Sequence, residues 1–194
     1  VSREADKKTL FEMVGHALVP DANERYKKFL ILTGDTNNGK SMFYSVVRTL
    51  LNGPNGEETN TASVKLGKLA QNRFSVYSMY GSLANIAGEI DGKKIRNTAS
   101  LKDITGGDEI EIEPKGDDSF FDTLGTTLMF AANDPPIIGE RDKQSIATRI
   151  VPIELPYTFV DHPDPNDKYE KQKIPERELR AELEDPEALS GLLN

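Results

Sequence analysis

The strongest chemical signal in the chain is an eight-residue segment, Gly34-Asp35-Thr36-Asn37-Asn38-Gly39-Lys40-Ser41. It matches G-x-x-x-x-G-K-[ST], and the chemistry needs those residue types. Glycines let consecutive backbone N–H groups turn inward around phosphate oxygens, and a helix starting behind them adds its positive end. A lysine in the Lys40 position reaches the β- and γ-phosphates, and a hydroxyl in the Ser41 position ligates Mg²⁺. All eight residues are therefore candidate ligands of ATP, with Mg²⁺ held by Ser41. A surface turn can match the pattern by chance, so the weight falls on its flanks.

Three further positions could act on a bound triphosphate. Glu89 and Asp91 follow the apolar run Leu83-Ala84-Asn85-Ile86-Ala87, where an acid can hold Mg²⁺ through water or polarise the attacking water. Asn133 ends a second apolar run, and its amide could orient water at the γ-phosphate, although Asn-Asp-Pro-Pro also reads as a turn. Arg149 precedes a third run and could be an arginine finger; the plainer reading is a surface arginine paired with a carboxylate.

The elements that must hold these residues are legible from periodicity. Phe29-Leu30-Ile31-Leu32 is a continuous apolar run of the kind buried on both faces of a parallel sheet. Behind the glycine segment, Phe43, Val46, Val47, Leu50 and Leu51 keep a helical period, and Asn52-Gly53 ends it. This strand, loop and helix open an α/β domain. Upstream, Leu10, Met13, Val14 and Ala17 predict an amphipathic helix stopped before Pro20. Downstream, a polar loop spans 53–62, a short helix is expected near Val64–Leu69, and another over about Ile95–Ile104, ending at Gly106-Gly107. Glu109 to Glu113 alternates strictly, and Pro114-Lys115-Gly116-Asp117 follows as a turn, so a hairpin is expected. Thr126–Ala132 and Ile150–Leu155 predict two more buried strands. Two short helices in the tail are opened by Pro175 and by Asp185-Pro186.

Composition bounds the function. With no cysteine and only His16 and His162, disulfides and thiolate metal sites are excluded and a zinc site is disfavoured. No apolar run approaches the roughly 18 residues of a membrane span. The chain starts at Val1 with no apolar stretch behind it, so an intracellular protein, or a piece of a longer one, is the expectation. The net charge of −8 argues against a broad basic face for nucleic acid, though not against a few lysines lining a channel. Ten acidic and five basic residues fall between Asp161 and Asn194, and five of the eleven prolines lie beyond Leu155. That shift divides the chain into an N-terminal helix (1–22), a P-loop ATPase core (23–159), and a polar linker with the start of a helical segment (160–194).

The order of the parts resembles the superfamily 3 helicases, most closely the helicase domain of phage and plasmid primase–helicases. The resemblance runs from about Leu10 to Phe159 and rests on four ordered features. They are the P-loop with Asn-Gly-Lys-Ser, the strand ending in acid, the segment Leu101-Lys102-Asp103-Ile104-Thr105-Gly106-Gly107-Asp108, and the Asn-x-x-Pro strand end followed by Ala147-Thr148-Arg149-Ile150. It implies an AAA+ core, with a mostly parallel sheet between helices, an inserted β-hairpin and a short helical C-terminal tail. It also implies a ring, usually hexameric, that hydrolyses ATP at subunit interfaces and moves along single-stranded DNA. A primase domain on the same chain is part of that expectation. By position, Glu89 and Asp91 become the catalytic acids, with Glu89 toward Mg²⁺, Asn133 the polar sensor, and Arg149 a finger for the neighbour's ATP. Lys115 falls at the tip of the DNA-touching hairpin, and Lys102 matches a family lysine assigned here to DNA as well. Three features depart from the pattern: the acids are spaced Glu-x-Asp, Thr36 stands where many relatives have glycine, and Thr148 replaces an arginine that often precedes the finger.

Two other functions use the same loop. A small-molecule kinase would need a lid bearing several arginines, but the nine arginines are widely scattered. A non-catalytic ATP-binding assembly module would not need Glu89.

Overall fold

In the computed structural model, residues 3–19, 21–53, 56, 59–69, 74–88, 90 and 98–191 are described. In chain order the elements are α1 (Glu4–His16), α2 (Ala22–Tyr26), β1 (Phe29–Thr33), α3 (Lys40–Asn52), β2 (Thr61–Ala62), α4 (Leu66–Leu69), α5 (Phe74–Tyr77), β3 (Ala84–Ala87) and α6 (Ala99–Gly106). There follow β4 (Glu109–Ile112), β5 (Phe120–Thr123), β6 (Thr127–Ala132), α7 (Lys143–Ala147), β7 (Ile150–Glu154), β8 (Thr158–Val160), β9 (Glu170–Gln172), α8 (Glu176–Leu183) and α9 (Pro186–Gly191).

Five strands form one parallel sheet in the order β2-β3-β6-β1-β7. β1, β3 and β6 are buried along their whole length, which is why their sequences read as mainly apolar runs and not as alternation; Asn85, inside β3, is paired through its amide with the Val64 backbone. Alternate side chains serve two separate cores. Leu30, Leu32, Met129 and Ala131 face α1 and α3, packing on Leu10, Met13, Val47 and Leu51. Phe29, Ile31, Leu128 and Phe130 face the opposite layer with Leu101, Ile104 and Ile146. Phe29 and Phe130 meet edge to face, with ring centroids 6.3 Å apart. Each such side chain withdrawn from water contributes about 1.5–3 kcal/mol before the entropy of ordering it is counted. The sheet between two helical layers is thus the α/β arrangement the sequence predicts.

This topology fixes where a ligand can bind. The neighbours β1 and β6 send their outgoing connections in opposite directions, β1 toward β2 and β6 over β1 to β7. In open α/β sheets, the crevice beyond the carboxyl ends of two such strands is the ligand site. Both the 34–41 loop and Asn133 emerge there.

Outside the main sheet, β4 and β5 pair antiparallel with Ile112 opposite Phe120, and Lys115 is exposed in the connecting turn. The tail differs from the expected linker. β8 and β9 pair in parallel, and the Phe159 amide donates to the Asn37 carbonyl at 2.8 Å, fastening the tail to the glycine loop. α8 lies against α3, where the Arg180 guanidinium bonds the Ser45 hydroxyl and the Glu184 carboxylate. Strands as short as β2, β8 and β9 carry no period, so pairing alone reveals them. Among the described residues no helix is long and apolar enough to cross a membrane.

Candidate nucleotide site and the Arg149 joint

The loop after β1 holds backbone conformations that its sequence makes possible. Gly34 has φ 137° and Gly39 φ 91°, while Asn37, a residue that tolerates the left-handed region, has φ 57°. Gly34 is also held by space, since a Cβ there would lie 2.1 Å from Asn38 Nδ2 and 2.5 Å from the Leu155 carbonyl oxygen. The Asn38 side chain, itself buried, explains this closeness. Its Nδ2 donates to Leu155 O at 3.3 Å, and its Oδ1 accepts from the Lys40 amide at 3.3 Å. One amide side chain thus ties the loop to the end of β7.

Lys40 opens α3 and turns its ammonium back into the loop. Nζ donates to Gly34 O at 2.5 Å, Asp35 O at 2.9 Å and Asn38 Oδ1 at 3.1 Å, and stands 3.5 Å from Asn133 Oδ1. A cation held over a ring of carbonyl and amide oxygens, at a helix start, can exchange those partners for phosphate oxygens. Asp35, Thr36, Asn37 and Ser41 are exposed along the rim, and the Ser41 hydroxyl sits in the first turn of α3. The charge, the turned-in loop and the hydroxyl fit a triphosphate with Mg²⁺. Among the described residues no cluster of three or more His, Asp or Glu could hold a metal unaided. Glu89 and Asp91 lie outside the described residues. Their neighbour Ile90 donates its amide to Ala131 O at 2.8 Å, beside the end of β6.

A polar cleft of about 640 Å³ opens beside the loop and is lined by Thr33, Asp35, Asn133, Asp134 and Glu154 among others. Glu154 was not singled out from the sequence. It ends β7 in register with Thr33, so its carboxylate shares the crevice with Asn133. The signal that could have found it is the one used for Glu89, an acid at the carboxyl end of a strand, although β7 is only half-buried where the sequence predicts a buried strand.

Arg149 and Lys102 are not at this site. The Phe29 amide donates to Arg149 O at 2.9 Å, so Arg149 sits at the start of β7, while the glycine loop follows the end of β1. The length of β1 separates them by roughly 15 Å. The Arg149 guanidinium donates from Nη1 to Lys102 O and Thr105 Oγ1, each at 2.7 Å, and Thr105 in turn bonds the Leu101 carbonyl. Lys102 Nζ is paired with Asp142 Oδ1 at 2.6 Å, which helps hold the Asp142 carboxyl below its usual range. Asp103 is pushed the other way, by burial and by the neighbouring Asp108. Gly107, with φ 71°, closes α6 where a Cβ would come within 2.9 Å of Glu24 Cβ on α2. The Lys-x-x-Thr-Gly-Gly-Asp segment is therefore a joint in which α2, α6, α7 and the start of β7 meet around Arg149.

Comparison with known proteins agrees with this architecture. The NrS-1 C-terminal region (residues 305–718) superposes with a TM-score of 0.63 at 15% identity, covering 92% of this chain and 40% of that one. An A-form apo structure of the same region gives a TM-score of 0.53 at 17% identity, covering 77% and 33%. This chain thus spans well under half the length of those chains, and what is shared is the fold. A JCV helicase bound to a small molecule aligns over 99% of this chain and 55% of its own, but its TM-score of 0.46 at 12% identity is too low to carry an argument. No curated protein matches the sequence. A family match covers residues 32–149, from the end of β1 through the glycine loop to Arg149, and the chain belongs to that family, described as a family of unknown function (DUF5906).

Proposed function

We propose that this chain is the ATP-hydrolysing motor domain of a DNA helicase, the motor part of a mobile-element replication protein that works in a ring. The observation that carries the reading is the convergence of Lys40 and Asn133, 3.5 Å apart, at the switch point of a parallel sheet. Lys40 exchanges its carbonyl partners for β- and γ-phosphate oxygens, and the loop amides between Gly34 and Ser41 bind the remaining phosphate charge. The Asn133 amide, just past the end of β6, orients water or the γ-phosphate. Ser41 and Glu89 hold Mg²⁺, which when bound neutralises charge on the phosphate oxygens. Glu89, with Asp91 beside it, activates the attacking water. Arg149 is out of reach of its own loop, which suits a finger that acts on the neighbouring subunit's ATP.

The single-stranded DNA contact falls to Lys115 on the β4–β5 turn. Lys102, whose ammonium is paired with Asp142, is the second candidate. The ring, most simply a hexamer, and a primase domain elsewhere on the chain complete the proposal. The deciding experiment is steady-state ATP hydrolysis with and without single-stranded DNA. Stimulation by DNA is expected; hydrolysis indifferent to DNA would overturn the helicase reading and leave a simple ATPase.

A further inference from the structure

Three hydrogen bonds join the segment after β7 to the glycine loop and the strand that feeds it. The Leu155 amide donates to Thr33 O at 2.8 Å, Asn38 Nδ2 donates to Leu155 O at 3.3 Å, and the Phe159 amide donates to Asn37 O at 2.8 Å. The chain from Leu155 to Phe159 thus lies along the loop as a splint. Its last bond belongs to neither sheet. The Thr158 amide donates to Tyr169 O and Val160 O accepts from the Lys173 amide, so the Phe159 amide between them faces away from β9. It meets the least usual residue of the loop. Asn37 has φ 57°, a conformation that a residue with a Cβ keeps only where its surroundings hold it.

This bond fixes a direction as well as a distance. The peptide unit joining Asn37 to Asn38 is planar and trans, so its C=O and N–H point opposite ways. With the Asn37 carbonyl drawn toward the tail, the Asn38 N–H is turned to the far side of the loop. A peptide released from that hold can rotate and present its carbonyl there, and an oxygen repels phosphate where an N–H binds it.

We infer that the main-chain amide of Phe159 is a positioning group for phosphate binding, holding the Asn37–Asn38 peptide with its N–H free for the anion. The inference rests on the phosphate-loop reading above and deepens it. A group of the tail, outside the G-x-x-x-x-G-K-[ST] segment, becomes part of what makes the loop competent. The role belongs to the backbone, so a new side chain at 159 keeps it and proline removes it. Proline takes away this one donor and leaves the β8–β9 ladder its own bonds.

The test measures binding of tripolyphosphate with Mg²⁺, a ligand that has phosphates and no base, to the full chain, to Phe159→Ala and to Phe159→Pro. Phe159→Ala should bind within about twofold of the unmodified chain. Phe159→Pro should bind about 3–10-fold more weakly, the size of one net backbone hydrogen bond. Equal losses in both variants would assign the effect to the ring, and unchanged binding in Phe159→Pro would show that the loop needs no such hold; either result overturns the inference. Because proline can also strain the tail, hydrogen exchange of the Phe159 amide in the unmodified chain gives an independent reading. Coupling is reciprocal, so saturating tripolyphosphate should slow that exchange by the same factor of about 3–10. Exchange indifferent to tripolyphosphate would overturn the inference as well. If tripolyphosphate does not bind the unmodified chain, the phosphate-loop reading fails first, and the positioning role with it.

Discussion

Lys40 Nζ and Asn133 Oδ1 stand 3.5 Å apart although 93 positions separate them in the chain. Parallel pairing of β1 with β6 brings them together, with Thr33 in register with Ala132, so that each residue leaves its strand at the same edge. On the proposed reading, losing the Lys40 charge would remove a contact to phosphate oxygens that are charged in both ground and transition states. Lys40→Ala should abolish ATP turnover while the far-ultraviolet spectrum stays that of the folded protein. Asn133→Ala, which removes an orienting group and not a charge, should lower kcat by about 10–100-fold and change KM far less. Turnover near the unmodified rate in Lys40→Ala would end the phosphate-loop reading.

The observed joint at Arg149 and the finger role proposed for it can be separated. Its guanidinium is half-buried against Lys102 O and Thr105 Oγ1, so Arg149→Ala should cost about 1–3 kcal/mol of stability, read as a lower urea midpoint. A purely structural arginine would do only that. A finger acting across a boundary can be rescued by mixing, because one chain supplies Lys40 and the next supplies Arg149. Inactive Lys40→Ala and Arg149→Ala chains should recover partial hydrolysis when co-assembled. No recovery despite demonstrated co-assembly would leave Arg149 as the joint alone.

Sequence reasoning reached some of these relationships and not others, and the division is physical. Phe29–Leu32 and Leu128–Ala132 were legible because burial on both faces leaves no polar residue in the run. The glycine loop was legible because φ 91° at Gly39 demands a residue type. The partners of Arg149 and Lys102 were not, since Thr105 and Asp142 reach them from 44 and 40 positions away through packing that no local pattern records. The tail looked like a linker because its charge and prolines dominate its composition. Four of its apolar residues, Phe159 on β8, Ile174 in the segment before α8, and Leu179 and Leu183 on α8, form a wall only when the tail folds back on α3.

His16 offers a test of the fold that is independent of nucleotide. The ring closes α1 beneath the sheet, with Nδ1 hydrogen-bonded to Thr127 Oγ1 at 2.7 Å and Nε2 buried without a partner among the described residues. Burial, which penalises the charged imidazolium, holds its pKa below the usual histidine value against a smaller opposing backbone hydrogen bond at Ala22. A group with a depressed folded pKa is neutral in the folded state while the unfolded chain takes up the proton. Stability is therefore complete above about pH 6.5 and falls as the pH drops from there toward the folded pKa. The urea midpoint should decline between about pH 7.5 and 5.5, and His16→Gln should flatten that decline. An unchanged slope in His16→Gln would assign it to other groups.

Lys115 is the most exposed of the assignments to test, because its surroundings are hostile to DNA. The hairpin that presents it carries Glu109, Glu111, Glu113, Asp117, Asp118 and Asp122, so only the tip offers a phosphate a positive charge. Phe121, 65% exposed on β5, adds an aromatic face on the same hairpin. A strand of DNA can be tolerated there if it meets the tip alone, and a ring of subunits would repeat that contact. Each phosphate neutralised on single-stranded DNA releases about 0.7 of a counterion, so the lysine should show in affinity and salt slope and not in sequence preference. Lys115→Ala should leave DNA-free hydrolysis intact, weaken single-strand binding by the assembled ring, shallow its salt dependence and abolish unwinding. The double variant Asp117→Asn, Asp118→Asn should act in the opposite direction and tighten binding at low salt, by removing repulsion beside the tip. If the Lys115→Ala ring unwinds DNA at the normal rate, the β4–β5 turn is not the element that moves the strand.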